Sequence, residues 1–499
     1  MANKESAGEA DASTGIDGLD DILAGGLARR RVYLLEGSPG TGKTTAALSF
    51  LRAGAKLGES GLYITLSETE EELRAGARAH GWELQGIKIF ELVPPESLLD
   101  EQQHQSLLYS SDLELGETTR MIFEAVDREE PQRVVIDSLS EIRLLAQSSL
   151  RYRRQVLALK HYFAKRGATV LLLDDLTTDT LDKTVHSVAH GVVRLEELAP
   201  EYGAERRRVR VIKYRGRKFR GGFHDFTIRT GGLEVYPRLV SAEHKTAFKR
   251  EPLASGIDGL DEVLGGGVER GSSCLILGPA GTGKSLVAID FVLAATRRGE
   301  KAALFAFDEE LGLLHDRMRT LGIDLQALVD EGSLIIEQVD AAELSPGEFT
   351  ARVRHCVDMA GIKTVVIDSL NGYQAAMPEE NFLILHIHEL LQYLNRQGAT
   401  TFLTVAQHGL VGDMKAPVDV TYLADTVILL RYFEARGQVR RALSVIKKRS
   451  GPHEKTIREF EIGAHGLTVG PPLEGFHGVL RGVPNFVGDD SGLMGDPDS

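Results

Sequence analysis

The chain contains 499 residues, 42% of them hydrophobic and 26% charged, which excludes disorder of the whole chain and predicts about two to four globular domains. No apolar run approaches the ~18–20 residues of a membrane-spanning helix, and the polar start lacks the apolar segment of a secretory signal. Two cysteines, Cys274 and Cys356, are too few for a disulfide framework or a Cys-x-x-Cys zinc site. We therefore expect a cytoplasmic protein without membrane contact. Its net charge of −14 opposes nonspecific attraction to nucleic acid.

The two halves of the chain are copies of one another. Residues 15–43 align without a gap to residues 256–284, at an offset of 241 positions, and 16 of these 29 positions are identical. Shared hydrophobic periodicity alone does not produce this many identities. A repeat of this length is a whole domain and not one unit of a solenoid. The sequence therefore predicts a tandem duplication of one domain.

Short runs rich in β-branched residues alternate with segments of helical periodicity in both halves. The predicted strands cover residues 31–37, 61–67, 133–138 and 169–175 in the first half, and 274–279, 302–309, 364–370 and 400–407 in the second. Apolar strands that alternate with helices are typical of a mainly parallel sheet covered on both faces. We expect a flexible N-terminus (1–12), a first α/β domain (13–242), a linker (243–253), a second α/β domain (254–470) and a flexible acidic tail (471–499).

A phosphate-binding loop follows the first strand of each half. The sequences GSPGTGKT (37–44) and GPAGTGKS (278–285) both match GxxxxGK[ST]. In such a loop, backbone N–H groups surround phosphate oxygens, the lysine reaches the β- and γ-phosphates, and the hydroxyl binds Mg²⁺. A glycine-rich turn that binds nothing is the alternative, and two matches at one offset disfavour it. The predicted ATP contacts are Gly37, Gly40, Thr41, Gly42, Lys43, Thr44 and Thr45 in the first copy, and Gly278, Gly281, Thr282, Gly283, Lys284, Ser285 and Leu286 in the second.

An aspartate ends the same predicted strand in each half. Asp137 and Asp368 both close the sequence VVID. A carboxylate at the end of such a strand can hold Mg²⁺ through water, together with the loop hydroxyl. An aspartate that only caps the following helix is the alternative. We therefore predict that Thr44 and Asp137 form one metal site and that Ser285 and Asp368 form the other.

A second acidic position lies between each phosphate-binding loop and this aspartate. Glu68 and Glu309 again differ by 241 positions. A carboxylate here could orient or deprotonate the water that attacks the γ-phosphate. The alternative is a solvated charge after a strand. The presence of a glutamate at the same place in both repeats disfavours it.

With both loops, the GIDGLD openings and the VVIDS strands, the chain resembles the KaiC family of circadian-clock ATPases and autokinases, which belongs to the RecA-like superfamily. The resemblance covers about residues 12–475. It implies two tandem RecA-like P-loop NTPase domains, each a mainly parallel sheet flanked by helices. It also implies a two-tier homohexamer with ATP bound between neighbouring subunits. Segments 205–210 and 216–228 look like those of KaiC relatives found outside cyanobacteria.

The resemblance also assigns carboxylates near the γ-phosphate. The family carries paired glutamates after the second strand of each domain. Here the first copy has Ser67 and Glu68, and the second has Asp308 and Glu309. Either Asp308 or Glu309 is therefore expected to accept the proton in the second domain.

Cations from the neighbouring subunit form another part of the resemblance. Lys213 with Arg215, and Lys447 with Arg449, match family positions that reach the γ-phosphate across the subunit interface. A cation there would stabilise charge during phosphoryl transfer. The alternative is an alternating strand whose solvent face is charged.

Two adjacent hydroxyl residues near the end of the second domain are phosphorylated in the clock proteins. The matching pair here is Thr421 and Tyr422, followed by the run ADTVILL. Thr421 keeps the reach of the family's acceptors, whereas the phenol of Tyr422 is longer. We therefore expect phosphorylation at Thr421 rather than Tyr422, unless Thr421 is only a β-forming residue at the entrance to a strand.

Two other functions share these motifs. A RecA- or RadA-type recombinase or helicase would require a nucleic-acid surface, and the best candidate is the basic stretch 206–220. In this stretch, basic residues alternate with other residues along a predicted strand, which favours contacts between subunits. Nucleic acid is therefore not an expected partner. The other alternative is a slow ATP-gated scaffold without kinase activity. The expected partners are further copies of the chain and a signalling or clock-type protein that binds the C-terminal tail.

Overall fold

The computed structural model describes residues 10–92, 107–176, 184–199, 203–376, 380–407, 421–464, 466–481 and 485–486. The chain divides into two compact units between Arg238 and Leu239. Within the described ranges, no helix has both the length and the apolar character needed to cross a membrane.

The described part of the first unit contains one large sheet. Its strands are β1 (Val32–Gly37), β2 (Gly61–Thr65), β3 (Ile87–Glu91), β4 (Arg133–Asp137), β5 (Thr169–Asp175), β6 (Gly191–Leu198), β7 (Arg206–Tyr214), β8 (His224–Arg229) and β9 (Gly232–Tyr236). They lie in the order β3–β2–β4–β5–β1–β6–β7–β8–β9. Pairs from β3 through β6 are parallel and the last three are antiparallel.

Helices cover both faces of this sheet. They are α1 (Asp17–Ile22), α2 (Lys43–Lys56), α3 (Glu70–Ala79), α4 (Leu107–Glu129), α5 (Leu139–Ala146), α6 (Ser149–Arg166) and α7 (Thr184–Val188). Alternate residues of the central strands enter two different apolar clusters. Leu35 packs in the cluster that contains α2, and Leu34 packs in the cluster that contains α6. The continuous apolar strands are therefore buried on both faces, as expected for a parallel sheet.

The second unit repeats this architecture. Its strands are β10 (Pro252–Leu253), β11 (Val268–Glu269), β12 (Ser273–Gly278), β13 (Ala302–Ala306), β14 (Leu334–Gln338), β15 (Thr364–Asp368), β16 (Thr400–Ala406), β17 (Thr426–Ala435), β18 (Gln438–Lys448), β19 (Arg458–Gly463), β20 (Gly466–Pro472), β21 (Phe476–His477) and β22 (Asn485–Phe486). The large sheet has the order β14–β13–β15–β16–β12–β17–β18–β19–β20. The predicted class, two α/β domains with mainly parallel sheets flanked by helices, is confirmed.

The helices of the second unit occupy the corresponding places. They are α8 (Asp258–Val263), α9 (Lys284–Arg297), α10 (Leu311–Thr320), α11 (Leu325–Asp330), α12 (Pro346–Asp358), α13 (Leu370–Ala376) and α14 (Glu380–Arg396). In both units, one strand leads into the phosphate-binding loop and another ends at the VVID aspartate. These two strands are parallel, with one strand between them. Their parallel direction brings both carboxyl ends to one edge, where ligands bind in open α/β sheets.

The folded part of the second unit extends beyond the expected end at residue 470. Strand β20 continues to Pro472, and Leu473 and Val479 are buried with Phe433 in a small apolar cluster. The apolar residues at the start of the predicted tail therefore complete a packed surface. Four aspartates of that tail lie outside the described residues, namely Asp489, Asp490, Asp496 and Asp498.

A buried arginine ties together three segments of the first unit. The side chain of Arg133 is fully buried and bonds to the carboxylate of Glu59. It also donates to the carbonyls of Ser13 at 2.6 Å and Phe50 at 2.7 Å. Gly54 on α2 makes room for it, since a Cβ there would lie 2.5 Å from the Arg133 Cδ. Removing Arg133 would leave Glu59 with Arg29 as its remaining cation and would take a donor from the carbonyls of Ser13 and Phe50, and breaking such a buried network is costly.

We expect Arg133→Met to lower the free energy of unfolding of the first unit by about 3 kcal/mol. Urea unfolding followed by the fluorescence of Trp82, the single tryptophan of the chain, reports on this unit alone. Arg154→Met, which removes an exposed arginine of α6, serves as the control and should change stability by less than about 0.5 kcal/mol. Equal urea midpoints for Arg133→Met and wild type would contradict the prediction.

Candidate active sites

The phosphate-binding loop of the first unit joins β1 to the first turn of α2. Gly42 precedes the helix with φ of 90°, and no side chain caps the helix N-terminus. The positive φ favours glycine here, and a Cβ on Gly42 would also lie 2.7 Å from the Cδ1 of Ile228, which would have to move. The uncapped N–H groups and the positive end of the helix dipole are suited to an anion. The loop therefore fits the phosphates of a nucleotide.

The lysine of this loop has three partners. Its ammonium group donates to the carbonyls of Gly37 and Ser38, both at 2.9 Å, and lies 2.7 Å from a carboxylate oxygen of Asp175. Asp175 ends β5, directly beside the loop strand. Lys43 is buried, so this carboxylate compensates a charge that is largely removed from water.

The second loop has the same backbone with a different lysine environment. Gly283 has φ of 102° and again leaves α9 without a side-chain cap. Lys284 donates to the carbonyl of Pro279 at 2.8 Å. Burial lowers the pKa of Lys284, while the negative charges of Asp308 and Asp368 act in the opposite direction. These two carboxylates are therefore the charges that face the lysine in this copy.

In the first copy, the predicted metal ligands lie side by side. The hydroxyl of Thr44 is 3.4 Å from Oδ2 of Asp137. The buried phenol of Tyr63 donates to the same oxygen at 2.5 Å. Burial raises the pKa of Asp137 and the charge of Asp175 adds to this, whereas Lys43 and the bond from Tyr63 lower it. A divalent cation would supply the missing positive charge, so these residues fit Mg²⁺.

In the second copy, the aspartate is held by a different residue. Asp368 accepts a hydrogen bond from the hydroxyl of Thr404 on β16. The residue that corresponds to Tyr63 is Leu304, whose side chain has no polar atom. Ser285 is partly exposed at the start of α9, on the same sheet edge as Asp368. The second copy thus has the same candidate metal ligands, a hydroxyl and an aspartate. The group that hydrogen-bonds the aspartate is the hydroxyl of Thr404 instead of a phenol.

The carboxylates near the γ-phosphate position differ between the copies. In the second copy, Asp308 accepts a hydrogen bond from Ser369, the residue after Asp368. Glu309 instead forms a two-pronged ion pair with Arg317 on α10, at 3.0 and 2.6 Å. Gly372 allows the approach of Asp308, because a Cβ there would lie 2.7 Å from its Oδ1. Of the two expected carboxylates, Asp308 is therefore the one that faces the site.

In the first copy, the carboxylate near the γ-phosphate position is Glu68, which aligns with Glu309. Gly76 stands where Arg317 stands in the second copy, so no equivalent ion pair can form. Burial raises the pKa of Glu68, and the charges of Asp137 and Asp175 raise it further, whereas Lys43 lowers it. Glu68 therefore belongs to the electrostatic environment of the loop lysine and the VVID aspartate. A raised pKa is also a property of a group that accepts a proton near neutral pH.

The lysine–arginine pairs hold equivalent turns in the two copies. Lys213 donates to the carbonyls of His186 and Ala189 at the end of α7, the latter at 2.8 Å. Arg215 donates to the carbonyl of Ser187 at 2.6 Å. Within one chain, both cations therefore stabilise the turn that precedes β6.

The second copy shows the same arrangement around the candidate phosphorylation sites. Lys447 donates to the carbonyls of Thr421 at 2.9 Å and Ala424 at 2.8 Å. Arg449 donates to the carbonyl of Tyr422 at 2.7 Å. The side chain of Thr421 is partly buried, whereas Tyr422 is 52% exposed. The structure thus places Lys447 and Arg449, from the end of β18, against the turn that carries Thr421 and Tyr422.

Two predicted nucleotide contacts lie at the margin of the loops. The hydroxyl of Thr45 is 3.4 Å from Nε2 of His80. Leu286 is buried in the apolar cluster around α9. The side chain of Leu286 is therefore directed to the core, and only its backbone is available to a nucleotide.

The sequence did not identify a buried ionic cluster beneath the first loop. Glu36, directly before Gly37, pairs with His186 and Arg194, each at 2.7 Å. Burial alone would raise the pKa of Glu36, but these two partners lower it below its usual value. Leu277 takes the place of Glu36 in the second copy. The only sequence signal was a charged residue inside an otherwise apolar strand.

Comparison with known proteins matches two segments of the chain, residues 12–240 and 253–474, to the family described as "ATPase: KaiC". The "Circadian clock protein KaiC3" of Synechocystis sp. is 28% identical over 505 residues, covering 98% of this chain and 97% of that protein. The "Circadian clock oscillator protein KaiC" is 29% identical over 492 residues in both Parasynechococcus marenigrum and Prochlorococcus marinus. These alignments cover 96% of this chain and 93% and 96% of those two relatives. The family match spans both copies and contains both phosphate-binding loops, so the chain belongs to the KaiC family of ATPases.

Proposed function

We propose that both domains bind and hydrolyse ATP with Mg²⁺. The observation that supports this most strongly is that both copies have the same arrangement of groups at the carboxyl ends of the parallel strands. In each copy an uncapped helix N-terminus, a buried lysine and an aspartate from the next strand but one meet at the same place. A glycine-rich turn without a ligand would not require a buried ammonium group or an uncapped helix in both copies.

In the first domain, the loop backbone and Lys43 would bind the phosphates. Thr44 and Asp137 would hold Mg²⁺, which when bound neutralises charge on the phosphate oxygens. Tyr63 fixes the orientation of Asp137 by its hydrogen bond. Glu68 would accept a proton from the attacking water, and its raised pKa supports that role.

In the second domain, Lys284, Ser285 and Asp368 take the corresponding roles. Asp308 would accept the proton, because Glu309 is engaged by Arg317. Lys447 donates to the carbonyl of Thr421, and Thr421 matches in sequence the family position that accepts phosphate. We propose that Thr421 receives the γ-phosphate from ATP bound to a neighbouring copy, so that this domain is also a serine/threonine autokinase.

This chemistry would require a homohexamer in which Lys213, Arg215, Lys447 and Arg449 face the ATP of the adjacent subunit. We propose such an assembly because the curated relatives are clock proteins of nearly the same length. Its phosphorylation state would be the signal presented to a partner protein. We propose that the two repeats, 13–242 and 254–470, are the domains and that the C-terminal tail (471–499) binds that partner.

A DNA-dependent ATPase is the weaker candidate. The arginines that offered the best nucleic-acid surface are paired with carboxylates of β6. Arg207 lies 3.0 Å from Glu197, and Arg208 lies 2.8 Å from Glu196. These partners compensate the positive charge that a phosphate backbone would need to meet. The pairing favours a structural role for this strand.

We expect different carboxylates to support hydrolysis in the two domains. In a Lys284→Ala background, Glu68→Gln should lower the remaining ATPase rate by about 10²-fold or more, because it removes the proton acceptor. In a Lys43→Ala background, Asp308→Asn should do the same. Phosphate release measured at saturating Mg-ATP provides the rates.

The matched control for these variants is Glu309→Gln in the Lys43→Ala background. It removes a carboxylate adjacent to Asp308 that is already bound by Arg317, and we expect less than a ~3-fold change. A larger loss of activity in Glu309→Gln than in Asp308→Asn would show that the assignment is wrong.

We expect Mg-ATP to produce phosphothreonine at Thr421 and little phosphotyrosine at Tyr422. The reason is positional, because phosphoryl transfer requires the acceptor oxygen in line with the γ-phosphate. Phosphopeptide mapping after long incubation measures both sites. Thr421→Ala should abolish labelling and retain ATPase activity, whereas Tyr422→Phe should retain both. Labelling chiefly at Tyr422, or none at either site, would leave a plain ATPase.

A further inference from the structure

A polar pocket lies in the first domain on the C-terminal half of α2. It has a volume of about 480 Å³, and its wall includes Ser13, Ser49, Arg52, Lys56, Trp82 and Gly231. Arg52 follows Lys43 by nine residues, which places it about 13 Å further along the helix axis. The pocket is therefore separate from the phosphate-binding loop. Its volume is in the range of sites for small molecules.

The guanidinium group of Arg52 is held in place by an aromatic ring, and the described residues give it no anionic partner. Its central carbon lies 4.3 Å from the centre of the Trp82 ring, and Trp82 is buried, with 5% of its surface exposed. Among the described residues, no carboxylate or carbonyl accepts a hydrogen bond from Arg52. Burial lowers the pKa of Arg52 and no negative charge acts against it. A preorganised arginine with unused donors is suited to a planar or tetrahedral oxyanion.

Two further donors line the same pocket. Lys56 lies one turn after Arg52 on α2, and the part of the chain that the structure covers supplies no ion pair for it. Ser49 is buried, with 5% of its surface exposed. Its hydroxyl likewise has no hydrogen-bond partner among the residues described. Asp17 is the single carboxylate on the described wall, but it is exposed and pairs with neither cation. The pocket therefore offers a net positive charge.

The second copy of the domain does not preserve this chemistry. The residues corresponding to Arg52 and Trp82 are Leu293 and Ile323, and Asp290 replaces Ser49. Only the cation at Lys56 is retained, as Arg297. The aromatic-stacked arginine is thus a feature of the first copy and not a requirement of the fold. This contrast separates the pocket from the nucleotide site, which both copies retain.

We infer that this pocket binds a small phosphate-bearing molecule, through the guanidinium of Arg52, the ammonium of Lys56 and the hydroxyl of Ser49. Phosphate is favoured over a carboxylate because it can accept from all three donors at once and can carry a second negative charge. Because Trp82 forms one wall, the occupied pocket changes the surroundings of its indole.

The fluorescence of Trp82, the single tryptophan in the chain, tests this inference directly. Full-length protein is first saturated with Mg²⁺ and a non-hydrolysable ATP analogue, so that both loops are filled. Inorganic phosphate is then added at constant ionic strength, with acetate in a parallel titration. We expect a saturable fluorescence change with phosphate and a response to acetate at least about tenfold weaker.

Variants then assign the response to the pocket. Arg52→Leu, which installs the residue of the second copy, should weaken phosphate binding by about tenfold or more, since a charged hydrogen-bond donor is lost. Arg52→Lys should give an intermediate midpoint. Arg78→Leu removes an exposed arginine of the neighbouring helix α3 and should leave the midpoint unchanged. No saturable change in the wild type, an equal midpoint in Arg52→Leu, or equal binding of acetate would each overturn the inference.

Discussion

The buried ammonium group of the phosphate-binding loop is the constraint on which each domain depends. A lysine at the junction of strand and helix must be kept charged where little water reaches it, so oxygen atoms have to surround it. Carbonyls of the loop supply part of this environment in both copies. Carboxylates at the ends of other strands supply the rest, and the parallel sheet delivers them because its parallel strands end at one edge. The same arrangement leaves the helix N-terminus open to phosphate.

The duplication shows how much of this arrangement can change while the site is kept. Asp137 is oriented by a phenol from β2, and Asp368 by a hydroxyl from β16. The carboxylate that approaches the loop comes from Glu68 in one copy and from Asp308, one position earlier in the repeat, in the other. Such differences change the charge around the lysine, and under the proposed function they would give the two sites different proton acceptors. They provide a physical basis for unequal chemistry in the two domains.

Sequence patterns predicted the features that depend on local order along the chain. The strand before each loop, the helix after it and the VVID aspartates follow from hydrophobic runs and glycine spacing. They did not predict which carboxylate turns inward. That choice depends on Arg317, eight residues after Glu309, and on Gly372, which lies in another helix. Tyr63 was missed because an aromatic residue inside a strand is normally part of the core.

The central claim is that both copies bind nucleotide through the same loop chemistry. Calorimetric titration with a non-hydrolysable ATP analogue and Mg²⁺ measures this most directly, because it counts sites without requiring turnover. We predict two nucleotides per chain for the wild type, one for Lys43→Ala, one for Lys284→Ala and none for the double variant. A single nucleotide per wild-type chain, or two in either single variant, would contradict the claim.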